Sequence, residues 1–79
     1  MNKNQVLILS NIRGFEYITP LLLSLSQKYG IPLSTLKFNA KILQKLGIIA
    51  FSNSEARVTD LGKLMLNILN SEKYGTTKK

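Results

Sequence analysis

The chain contains no histidine, no cysteine and no tryptophan, and only two prolines in 79 residues. Without thiols there are no disulfides; with imidazoles missing as well, there is neither an ordinary zinc site nor a Cys or His nucleophile or general base. Acids are scarce too: Glu16, Glu55, Asp60 and Glu72 are the whole complement. A carboxylate metal site or a glycosidase pair would have to be assembled from these scattered residues, so neither catalysis nor a metal or other cofactor is expected. Long apolar runs are also missing. Leu21 to Leu23, with Leu25 following, falls far short of the roughly 20 residues that span a bilayer. Met1 to Gln5 leads into a short apolar run that stops before Ser10, too short for the apolar segment of a signal peptide. The expectation is a cytoplasmic protein that does not engage a membrane.

What is present is positive charge and enough apolar residues for one core. Eleven Lys and Arg against four acids give a net charge of +7, and the isoelectric point is near 10.0. A small folded domain so charged most often faces a polyanion. The chain is 44% hydrophobic, which places it among folded domains rather than disordered tails. A domain this short buries only about 60% of the surface that its unfolded form exposes. One domain, residues 1–70, is expected, with a polar and flexible C-terminal tail over 71–79.

Periodicity predicts four helices and a hairpin. Val6, Leu7, Ile8, Leu9 and Ile12 suit a first helix over residues 3–13 that ends at Gly14. Phe15 to Ile18 reads as a short strand or bridge. Thr19-Pro20 reads as a capped start for a second helix running to Tyr29, with Leu22, Leu25 and Tyr29 inward and Gly30 as a left-handed stop. After Ile31, Pro32 and Leu33, Ser34 is placed to cap a third helix, about 35–46. On it Leu36, Ala40, Leu43 and Gly47 form one stripe, and Lys37, Lys41 and Lys45 another. Ile48 to Phe51 and Ala56 to Thr59 read as the strands of a hairpin around a Ser52 to Glu55 turn. Thr59 or Asp60 then caps a fourth helix, about 61–70, with Leu61, Leu64, Met65 and Ile68 inward.

This predicted fold is mainly α with a small β-hairpin, and its order of helix, short strand, helix, turn, helix, hairpin, helix resembles the winged helix-turn-helix. Two segments carry the resemblance beyond topology. Ser34-Thr35-Leu36-Lys37 leading to Lys41-Ile42-Leu43-Gln44-Lys45-Leu46-Gly47-Ile48-Ile49 looks like a recognition helix and first wing strand. Arg57-Val58-Thr59-Asp60-Leu61-Gly62-Lys63-Leu64 is similar to the second wing strand and the entry to the last helix. Within that family the chain resembles small archaeal regulators, including viral and plasmid-borne ones. The resemblance implies a sequence-specific double-stranded DNA-binding transcriptional regulator, with its third helix in the major groove and its hairpin on the neighbouring backbone.

The residues expected to meet DNA are Ser34, Thr35, Lys37, Phe38, Asn39, Lys41 and Lys45 on the third helix, and Arg57, the hairpin's lone cation. A lysine stripe by itself also suits a solvated helix face. Here no acid lies between Tyr17 and Ser54, so the stripe lacks i,i+4 carboxylate partners and an anionic partner is the simplest reason to tolerate its self-repulsion. The helix has no arginine, which argues against strong guanine readout, whereas Thr35 or Phe38 suits a thymine methyl. Phe38 folding over the second helix is the competing placement. Asn39 suits adenine, or equally a polar boundary next to the core. Leu7, Leu66 and Leu69 exceed what one small core needs and are expected to form a homodimer seam, in solution or by pairing on DNA. The rival function is a winged-helix docking module for other proteins, because fold does not dictate function.

Overall fold

The structure, a computed structural model, describes the backbone of residues 1–78 and the side chains through Ser71. Its elements are α1 (Lys3–Ser10), β1 (Glu16–Tyr17), α2 (Ile18–Tyr29), α3 (Leu33–Lys45), β2 (Ile49–Ser52), β3 (Glu55–Val58) and α4 (Asp60–Lys78). The strands form one antiparallel sheet in the order β1-β3-β2, with Glu16 opposite Ala56 and Ile49 opposite Val58. The fold is mainly helical with a small sheet, and its order is winged-helix-like. Ile8, Leu9, Leu36, Leu43 and Ile49 are the largest fully buried side chains, so α1, α3 and β2 share one core. Among the described residues no helix is long and apolar enough to cross a membrane.

Helix boundaries follow local hydrogen bonding. Asn2 caps α1 in a reciprocal box: its Oδ1 accepts from the Gln5 backbone N–H at 2.8 Å, and Gln5 Oε1 accepts from the Asn2 N–H at 3.2 Å. The helix stops at Ser10, short of the expected residue 13, and Asn11 closes it by donating its side-chain amide to the Leu7 carbonyl. Helix α2 starts at Ile18, before the expected Thr19 cap, and no side chain caps it. The Ile18 N–H is satisfied instead by the Ser54 carbonyl of the hairpin turn, at 3.0 Å. Pro20 is then the third helical residue, where its missing N–H loses no bond because the first amides of a helix have no internal acceptor. Gly30 ends α2 as expected, at φ +66°, donating to the Ser26 carbonyl. Leu22 and Leu25 face the core, whereas Tyr29 is half exposed rather than inward.

Helix α3 begins at Leu33 behind Pro32, and Ser34 does not cap it. The Pro32 carbonyl accepts from the Thr35 and Leu36 amides, leaving Ser34 exposed in the first turn. The hairpin turns through Asn53 and Ser54 alone, at φ 52° and 71°. Two successive left-handed residues are the signature of a two-residue type I′ turn, whose twist matches that of the strands.

Thr59 caps α4, accepting from the Gly62 N–H at 3.1 Å while its hydroxyl is placed to donate to the Gly47 or Ile48 carbonyl. Gly62 seats the helix on the sheet side of the core: a Cβ there would lie 2.6 Å from Val58 Cγ1 and collide with the Ile48 carbonyl oxygen. That seating reverses the expected orientation of α4. Leu66 and Leu7 pack against the core, and Leu69 is half-buried, whereas Leu61, Leu64 and Ile68, expected inward, are 46%, 54% and 47% exposed. Leu7 and Leu66, expected in an open seam, are thus partly buried against the core. The helix also runs past the expected end near Asn70, through a stretch free of proline. Tyr74 and Lys73, in the expected tail, have side chains outside the described residues.

Candidate nucleic-acid interface

Helix α3 is held from behind. Leu36, Ala40 and Leu43 are buried against α1, α2 and β2, which leaves the opposite side of the cylinder open. At about 100° per residue, Ser34, Lys37, Phe38, Lys41, Gln44 and Lys45 fall within an arc of about 120° centred near Lys41. All six are exposed. The strip is about 16 Å long by the helical rise, a size that a major groove roughly 12 Å wide admits. The absence of acids from Ile18 to Ser54 leaves this face with positive charge only, and Lys45 in the last turn also complements the helix dipole.

The expected contact residues separate in space. Phe38 is 65% exposed, so it does not fold away over α2. With Lys37 and Lys41 it borders a groove of about 420 Å³, lined also by Ile18, Thr19 and Phe51. The groove joins the cationic face of α3 to the start of α2 and to strand β2. Thr35 is half-buried at the edge of the face. Arg57 is exposed on β3 opposite Ala50, and its neighbour Ala56 points into the core, so Arg57 points out of the other side of the sheet. It lines a different groove, of about 380 Å³, with Phe15, Lys63 and Leu66. The hairpin cation and the α3 lysines thus border separate surfaces.

Asn39 is not on the open face. It is 4% exposed, and its amide makes three hydrogen bonds: Oδ1 accepts from Asn2 Nδ2 at 2.9 Å and Gln5 Nε2 at 3.1 Å, while Nδ2 donates to the Thr35 carbonyl at 2.8 Å. Its place among the base-contacting candidates is therefore corrected. It is a buried polar clamp that ties the α1 cap to α3, and its burial keeps it from a base edge. Gln44, in contrast, is exposed on the open face. It shares the exposed arc with Lys41 and Lys45, and its amide has the paired donor and acceptor that adenine offers a match for. Sequence reading missed it, although the spacing from Lys41 to Gln44 already put it on the lysine face. Compared with family models, curated proteins and solved structures, the chain matches none of them.

Proposed function

We propose that this protein binds double-stranded DNA sequence-specifically and regulates transcription, with α3 entering the major groove. The observation that carries the reading is the composition of the one open face of α3. Lys37, Lys41 and Lys45 are interleaved with Phe38, Gln44 and Ser34, all exposed, and no acid lies on the helix or for a long way on either side of it. Lysines of this kind neutralise phosphates without reading sequence, whereas an aromatic ring and an amide between them can meet a thymine methyl and an adenine edge. The winged-helix-like order supports the same reading, since it leaves the third helix projecting from the core.

Mobility shift of the protein on duplex DNA across a salt series tests it. With about four to six phosphate contacts, log K against log salt should fall with a slope of roughly −4 to −5. A slope shallower than about −2 removes the basis for the reading. The rival, a docking module for other proteins, is favoured by the exposed leucines of α4, and it requires that duplex DNA show no salt-sensitive binding.

A further inference from the structure

Helix α4 has more apolar circumference than the core uses. Gly62 and Leu66 face the core with Leu69 half-buried beside them, and Leu61, Leu64, Met65 and Ile68 form a second, adjoining strip. At about 100° per residue these four fall within an arc of about 100°, at the a, d, e and a spacing by which helices pair. Three of them stand about half exposed, at 46%, 54% and 47% for Leu61, Leu64 and Ile68. Single apolar side chains on a surface are ordinary, but a continuous row along one helix is not.

We propose that this strip is the seam of a homodimer, in which α4 pairs antiparallel with α4 of a second copy. Charge selects the occupant. The chain carries +7, so most faces of two copies repel, yet among the described residues the solvent flank of the strip holds Asp60, Asn67 and Ser71 and no cation. Lys63 lies on the far side of the helix. The strip is also self-complementary. A two-fold axis between positions 64 and 65 sets Leu61 against Ile68 of the partner copy and Leu64 against Met65, and it brings Asp60 near Asn67, an acceptor beside an amide donor. Antiparallel packing opposes the two helix dipoles, whereas parallel packing would align them. The pairing does not depend on the DNA reading.

The seam is small. Four side chains over about 10 Å of helix cover far less than the roughly 800 Å² per partner of a standard interface, so association should be weak, with a dissociation constant on the order of tens of micromolar. Sedimentation equilibrium without DNA should show a mass rising from 8.9 kDa towards twice that value with concentration. Leu64→Glu places two like charges at the dyad and should weaken association about a hundredfold, with an unchanged circular dichroism spectrum because Leu64 is not in the core. The chain has no cysteine, so introduced thiols report register directly. L61C mixed with I68C should oxidise to a covalent dimer, while either variant alone should not. A single 8.9 kDa species up to about 1 mM, association indifferent to Leu64→Glu, or self-cross-linking of L61C as ready as in the mixture would each overturn the proposal. Any of these results leaves duplex binding, measured by mobility shift, as it stands.

Discussion

At Asn39 a single buried amide closes a circuit of hydrogen bonds. Its side-chain oxygen accepts hydrogen bonds from Asn2 and Gln5, and its N–H₂ donates one to the Thr35 carbonyl. The same Asn2 and Gln5 cap α1, so the network fixes the α1 terminus against α3. Removing the amide would strand the Gln5 side chain, which is 7% exposed, without its partner. Asn39→Ala should therefore destabilise the protein by about 2 to 3 kcal/mol. For a domain of this size each kcal/mol lowers the thermal midpoint by roughly 4 to 8 °C, which thermal unfolding followed by circular dichroism will show. Below its midpoint the variant should keep the wild-type preference among DNA sites. Phe38→Ala should do the reverse: its ring contributes little to the core, so the midpoint should hold while preference among sites changes by about 1 to 3 kcal/mol. A lowered midpoint with unchanged preference would return Phe38 to the packing role.

The hairpin shows how an element's turn is set by backbone chemistry. Asn tolerates the left-handed region, but Ser54 at φ 71° pays for its Cβ there, by roughly 1 kcal/mol, where glycine would not. The position is also a fixed point: the Ser54 carbonyl receives the first amide of α2, so the turn also anchors the helix that precedes α3. Glycine keeps that carbonyl. Ser54→Gly should raise stability by only up to about 0.5 kcal/mol, because the entropy that glycine adds to the unfolded chain offsets much of the relieved strain. Chemical denaturation should show the midpoint moving up with an unchanged slope. Helix α3 is the opposite kind of element, one whose periodicity settles its own two faces. Three aliphatic side chains recur on one side and three lysines on the other, so burying the first leaves the second outside.

For the molecule as a whole, the distribution of charge matters more than its total. Acids sit at Glu16, Glu55, Asp60 and Glu72, that is, on β1, on β3 and on α4, and none on α2 or α3. Three of the eleven cations, Lys37, Lys41 and Lys45, stand exposed together on α3 with no acid on that helix. Lys41→Ala and Lys45→Ala should each weaken binding to every duplex alike and flatten the salt slope by about 1. Salt titrations of the two variants on a preferred and an unrelated duplex check this, and a change in preference with an unchanged slope would assign these lysines to bases rather than phosphates.

Much of this was legible in the amino-acid order, because local rules act over a few residues. Gly30 needed only its left-handed tolerance to end α2, the lysine spacing needed only the helical repeat, and the helix, hairpin, helix order followed from apolar periodicity. The lack of histidine and cysteine by itself excludes disulfides and thiolate or imidazole metal ligands from this chain. Other features lay beyond any local rule. The burial of Asn39 depends on Asn2 and Gln5, more than thirty residues away, and a polar residue at the edge of an apolar stripe reads the same whether or not such partners arrive. The rotation of α4 was likewise ambiguous, since apolar residues cover about 200° of its circumference and either half could face inward. Close approach of Gly62 to Ile48 and Val58 resolves it, because only a residue without a Cβ can lie there, and that contact turns Leu66 into the core and Leu61, Leu64 and Ile68 towards the outside.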